Sequence, residues 1–76
     1  MDILRDEAKA VIKALHKRGI KRIVMLTGDN PRAARAIAME AGVDAFVASA
    51  LPETKENYIK KLQSEGHAVV VVGDGI

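Results

Sequence analysis

Ile23-Val24-Met25-Leu26-Thr27-Gly28-Asp29-Asn30-Pro31 is the stretch that decides the fold. An apolar run stops at a small polar loop, and a helix start follows at once. Asn30 is a good helix cap, and Pro31 suits the first helical position, where a missing N–H is harmless. A run without polar alternation reads as a strand buried on both faces, the habit of parallel sheets. The pattern returns near the other end, where Ala68-Val69-Val70-Val71-Val72 runs into Gly73-Asp74-Gly75. Two buried strands that each end in Gly-Asp point to one polar site at one sheet edge.

Upstream, Leu4, Ala8, Val11, Ile12 and Leu15 recur at the spacing of one helical face, which predicts a helix from about residue 3 to 18. Asp2 is its expected cap, and Asp6 and Glu7 suit the positive end of its dipole. Lys17 and Arg18 suit the negative end, and Gly19 stops the helix. Downstream of Pro31, Ala33, Ala34, Ile37, Ala38 and Ala41 form the apolar face of a second helix that ends at Gly42. The stretch from Val43 to Ala48 predicts a short strand, diluted by Asp44 and its alanines. Leu51-Pro52-Glu53-Thr54-Lys55 opens a third helix over about residues 53–64, with Tyr58, Ile59 and Leu62 inward and Gly66 at its end. The order α-β-α-β-α-β argues an α/β fold: a three-layer, Rossmann-like parallel sheet.

The bulk numbers agree with one small domain. There are 76 residues, 49% hydrophobic and 29% charged, which is globular and not disordered. With one Tyr and one Phe the core must be aliphatic. The absence of cysteine excludes disulfides and thiolate metal sites. A net charge of +2, without aromatics to stack bases, argues against a nucleic-acid partner. No stretch approaches the roughly 20 apolar residues of a membrane span, and no signal-peptide pattern opens the chain. The segment is expected to be soluble by itself.

Ligands of such folds bind beyond the carboxyl ends of the strands, where both Gly-Asp loops lie. There Thr27 offers a hydroxyl, Gly28 a close backbone approach, and the following helix its free N–H groups, a combination suited to an anionic oxygen. Asp74 offers the hard carboxylate oxygen that Mg²⁺ prefers. Lys55 can neutralise phosphate charge from its helix start, and phosphoryl transfer asks a protein mainly for positioning and charge compensation. Taken singly, each has a plain role: Asp29-Asn30-Pro31 as a cap, Gly73-Asp74-Gly75 as a turn, Lys55 as a solvated helix residue. His16 and His67 have no partner spacing, and Met25 and Met39 read as core filler. The joint occurrence favours a site.

Met25-Leu26-Thr27-Gly28-Asp29-Asn30, Leu51-Pro52-Glu53-Thr54-Lys55 and Val72-Gly73-Asp74-Gly75-Ile76 together resemble the phosphorylation domain of P-type ATPases, within the haloacid-dehalogenase-like superfamily. The flavour is that of the heavy-metal-transporting class, and Asp2-Ile3-Leu4-Arg5 and Gly42-Val43-Asp44 fit it as well. The resemblance spans nearly the whole chain. It implies that Thr27 hydrogen-bonds an aspartyl phosphate, that Gly28 adds a backbone N–H, and that Asp29 orders the loop near the nucleotide. It implies that Lys55 contacts phosphate and the nucleophile, and that Asp74 binds Mg²⁺, with ATP as the parent's substrate. Thr54 stands where these pumps often carry Asp.

The family's nucleophilic aspartate, in an Asp-Lys-Thr-Gly-Thr motif, has no counterpart here, nor has the Asn-Asp that follows Gly-Asp-Gly-Ile. Residues 1–76 are therefore expected to be only the C-terminal part of a phosphorylation domain, inactive alone. The resemblance places the nucleophile strand between the strand at Ile23–Leu26 and that at Ala68–Val72. Another segment is expected to supply it, although a direct, non-family pairing or a gap stays open. The expected partners are the remainder of the same ATPase: nucleophile strand, nucleotide-binding, actuator and membrane domains. The expected place is the cytoplasmic side of a membrane. Two alternatives stand: a fragment of a soluble phosphatase of the same superfamily, and a non-catalytic α/β module. Flanking membrane spans separate the pump from the phosphatase, and Mg²⁺- or phosphate-dependent stability separates both from the module once the nucleophile strand is restored.

Overall fold

The computed structural model describes residues 1–73. Seven elements follow in order: β1 (Asp2–Leu4), α1 (Arg5–Lys17), β2 (Ile23–Leu26), α2 (Pro31–Ala41), β3 (Ala45–Val47), α3 (Pro52–Ser64) and β4 (Ala68–Gly73). The strands form one sheet in the order β1-β4-β2-β3, and every pairing is parallel. Met25 lies opposite Val70 on one side and Phe46 on the other. Parallel pairing puts all the strand carboxyl ends on one rim.

Burial on both faces of β2 and β4 explains their unbroken apolar sequence. Ile23, Met25, Val70 and Val72 pack with Ala8 and Ile12 of α1 and with Ala34, Ile37, Ala38 and Ala41 of α2. Leu26, Val69 and Val71 point the other way, against Ile59 and Leu62 of α3. The alternation follows from the two-residue period of a strand, and the result is three layers. Each large aliphatic side chain withdrawn from water contributes on the order of 1.5–3 kcal/mol. Alanines along α2 let its backbone lie close to the sheet.

The helix expected to begin near residue 3 starts instead at Arg5, and Asp2–Leu4 is a fourth strand. The reason is non-local: the outer edge of β4 needs main-chain partners. Asp2, Ile3 and Leu4 pair with Val71, Val72 and Gly73, while the Met1 carbonyl accepts from the Val71 N–H at 2.7 Å. Asp2 is thus no cap. The Glu7 carboxylate takes the Leu4 N–H at the helix start instead, at 3.1 Å. Met39, expected in the core, is 75% exposed; Tyr58, expected inward, is 40% exposed, and α3 has no fully buried residue. A single helix covering that face touches the sheet along a narrow line, and Tyr58 falls beside it.

β2 and β4 are hydrogen-bonded to each other directly, over Ile23–Leu26 and Ala68–Val71. Among the described residues no strand lies between them, where a strand from another segment was expected. The pairing in the 76 residues is the direct one, which satisfies both strands' backbone groups without a gap.

Candidate functional site

The loop from Thr27 to Asn30 leaves the carboxyl end of β2 and is tied at every residue but Gly28. Asn30 adopts extended backbone and accepts the Ala33 N–H through Oδ1 at 2.9 Å, which caps α2. Thr27 is 1% exposed. Its Oγ1 accepts the Asp29 N–H at 3.2 Å and donates to Asp29 Oδ2 at 3.1 Å. Its hydroxyl is thus turned to Asp29, and a phosphoryl oxygen would have to replace the Asp29 carboxylate as its acceptor. Asp29 orders the loop through these two bonds.

The β3–α3 connection grips the same loop by its backbone. The Thr27 N–H donates to the Val47 carbonyl at 3.1 Å, and the Thr27 carbonyl accepts from the Ala50 N–H at 2.9 Å. The Asp29 carbonyl accepts from the Ser49 N–H at 2.7 Å. A Cβ on Gly28 would stand 3.5 Å from the Ala50 carbonyl oxygen, an ordinary contact. Gly28 is thus not required for space inside the fold, which leaves close approach from outside as its reading. Ser49 has φ 55°, the left-handed region, which costs a non-glycine residue about 1–2 kcal/mol.

Lys55 lies in the first turn of α3, with its N–H bonded to the Leu51 carbonyl at 3.0 Å. It is half-buried and lines a cleft of about 340 Å³ with Asp2, Ile3, Leu4, Glu7, Val71 and Gly73. The cleft sits at the carboxyl rim, beside the end of β4. Thr54, in place of the family's frequent Asp, donates its hydroxyl to the Leu51 carbonyl at 3.1 Å and leaves Lys55 in position. The structure therefore brings Lys55 and the Thr27–Asp29 loop to one rim. They stand on opposite ends of the Ser49–Leu51 connection, and Thr27 is not among the cleft's described walls. Asp74, the metal-binding expectation, lies outside the described residues. Among the described residues no group of three acidic or imidazole side chains gathers to hold a metal ion.

Two features of this rim escaped the sequence. Asp2 and Glu7 come to the cleft only because β1 pairs with β4. Ser49 carries no turn signature between two alanines. A third lies at the opposite, amino rim. Asp44 Oδ2 accepts the Ile23 N–H at 2.8 Å and meets His16 Nε2 at 3.0 Å. The His16 hydrogen bond, then that from Ile23, holds the Asp44 carboxyl below the ordinary carboxylate value, against the opposing effect of burial. His16, read as partnerless, has this partner across 28 positions of sequence.

A family model described as haloacid dehalogenase-like hydrolase matches residues 1–76. A protein named cation-transporting P-type ATPase B, from Mycobacterium bovis, is 51% identical over 75 residues, which is 99% of this chain and 10% of that protein. The copper-exporting P-type ATPase of Staphylococcus aureus is 49% identical over 75 residues, 99% of this chain and 9% of its own. The manganese-exporting P-type ATPase of Mycobacterium leprae is 47% identical over 75 residues, 99% of this chain and 10% of its own. The chain spans about a tenth of the length of the curated relatives it matches.

Proposed function

The chain belongs to the haloacid dehalogenase-like hydrolase family, and from that premise we propose that it is the phosphate-holding part of the phosphorylation domain of an ATP-driven heavy-metal cation pump. The observation that carries the reading is the shared rim: Lys55 in a cleft at the end of β4, and the Thr27-Gly28-Asp29 loop at the end of β2. Identity of about half to metal-exporting ATPases along nearly the whole chain supports the pump over a soluble phosphatase.

In this reading the Lys55 ammonium neutralises charge on the phosphoryl group and on the nucleophile. The Gly28 N–H and the Arg32 N–H, the one first-turn donor of α2 that the Asn30 cap leaves free, face the phosphoryl oxygens from the other side. Thr27 presents its hydroxyl once Asp29 releases it, and Asp29 keeps the loop in shape beside the nucleotide. The nucleophilic aspartate is absent from the 76 residues and comes from elsewhere in the protein. Its strand enters between β2 and β4, and the direct pairing of these two opens to admit it. These residues alone form no aspartyl phosphate. Asp74 is the carboxylate assigned to Mg²⁺, a hard cation that takes oxygen donors and, when bound, draws charge off phosphoryl oxygens.

No helix among the described residues is long and apolar enough to cross a membrane. The pump's membrane, actuator and nucleotide-binding domains are the proposed partners, with this segment on the cytoplasmic side, where ATP is available. Cation choice belongs to those other parts. Relatives named for copper and for manganese match this segment almost equally, at 49% and 47%. The test is substitution of Thr27, Lys55 and Asp74 by Ala, one at a time, in the full-length protein. Loss of phosphoenzyme in each is expected, and unchanged phosphoenzyme and turnover in all three would overturn the proposal.

A further inference from the structure

We infer that Ser49 is a positioning residue that sets Thr27 and Lys55 relative to each other; the inference rests on the phosphoryl-transfer reading above. Two groups assigned to one phosphoryl must keep a fixed separation, yet they stand on different elements and share no hydrogen bond. Among the described residues, the chain from Val47 to Leu51 is the short link between them. At one end, the Ala50 N–H holds the Thr27 carbonyl at 2.9 Å and the Ser49 N–H holds the Asp29 carbonyl at 2.7 Å. At the other, the next carbonyl, that of Leu51, receives the Lys55 N–H at 3.0 Å. Thr27 and Lys55 are thus connected through two consecutive residues and two main-chain hydrogen bonds.

Ser49 is where that link turns. Two successive N–H groups point at two carbonyls of one loop only if the chain bends sharply, and Ser49 does so at φ 55°. The Ser49 side chain is exposed and makes no hydrogen bond to any described residue. Its contribution is therefore the backbone conformation, a disfavoured one retained beside a site. A residue that resists the left-handed region would let go of Thr27, Asp29 or the start of α3, and the phosphoryl ligands would lose their spacing. Asparagine and glycine accept that region readily.

The test uses the full-length protein with two readouts. The first is inhibition by orthovanadate, a mimic of the transferring phosphoryl group. The second is amide hydrogen exchange over residues 47–51. Ser49→Val is expected to weaken vanadate inhibition about tenfold and to speed exchange over that segment, because β-branched residues fit left-handed backbone poorly. Ser49→Asn is expected to recover both. An effect of losing the Ser49 hydroxyl would not be repaired by the Asn variant, so recovery there assigns the effect to backbone conformation. Should Ser49→Val not accumulate, Ser49→Ala is read against Ser49→Gly, with the tighter vanadate inhibition expected for Gly. Wild-type inhibition in a variant whose 47–51 amides exchange faster overturns the inference, as does equal inhibition across all four. Thr27→Ala and Lys55→Ala in the same assay separate the two levels. If neither weakens vanadate inhibition, the functional reading itself fails. If both do and the Ser49 series does not, only the positioning role fails.

Discussion

The two rims of the sheet are held by different chemistry. At the carboxyl rim, Thr27, Asp29, Ser49 and Ala50 are joined chiefly through main-chain groups, and the side chain of Lys55 is left to face a cleft. At the amino rim, main-chain bonds from the Asp44 N–H to the Ile23 carbonyl and from the Ala68 N–H to the Arg22 carbonyl are joined by a side-chain tie: the Asp44 carboxylate links β2 to the C-terminal end of α1 through Ile23 and His16. Main-chain ties leave side chains available for a ligand. A side-chain tie consumes the functional group that makes it. On the proposed reading the first rim carries chemistry and the Asp44 tie of the second carries structure, and substitutions should separate them.

The largest separation should come from Lys55→Ala in the full-length protein. Removal of a charge-stabilising donor typically lowers the rate of the chemical step by about a hundredfold or more, so phosphoenzyme formation should fall by at least that. The chain's stability should hardly change, because Lys55 makes no ion pair with any described residue. A comparable loss of stability would place Lys55 in the scaffold and erase the contrast between the rims. Thr27→Val should act on both counts. It removes the hydroxyl that serves the Asp29 N–H and carboxylate within a buried site, at about 1–2 kcal/mol. Urea unfolding would measure that cost, and phosphoenzyme formation should drop beside it. Asn30→Ala removes the α2 cap at about 1 kcal/mol, with its effect in the urea midpoint.

Much of this arrangement was legible in the chain because its signals are local. The apolar runs of β2 and β4 announce burial on both faces, and Asn30-Pro31 and Gly42 mark the ends of α2 by their own side-chain and backbone chemistry. β1 was not legible, because Asp2-Ile3-Leu4 continues a helical periodicity and becomes a strand only where β4 offers an edge. Tyr58 was misread since helical spacing defines a face but not how wide a sheet lies beneath it. Asp44 read as a polar flaw in β3. Its partners are 21 and 28 residues away in sequence, beyond any window of pattern. At the site, Thr27, Gly28, Asp29 and Lys55 could be singled out because three ordered motifs coincide. The grip of Ser49 and Ala50 could not be, because backbone hydrogen bonds leave no mark on residue type.

The smallest effect is expected at the amino rim and is read by pH. Asp44 has its carboxyl held below its ordinary value of 3.8 by His16 and the Ile23 N–H. The unfolded chain therefore binds the proton more readily than the folded one. The stabilisation is complete above that ordinary value and drains as pH falls through the lower folded one. Asp44 and His16 are more than a third exposed, at 37% and 36% of their side chains, so solvent screens the pair. What remains is the bond to Ile23, worth about 1 kcal/mol. Asp44→Asn keeps an acceptor for Ile23 but no charge. The variant should lose little stability near pH 7 and less than the wild-type chain as pH falls below the ordinary value of 3.8. Phosphoenzyme formation should be untouched by it at neutral pH. Parallel pH profiles for the two chains would remove Asp44 from the account of the amino rim, and a loss of phosphoenzyme would show that the two rims are coupled through β2.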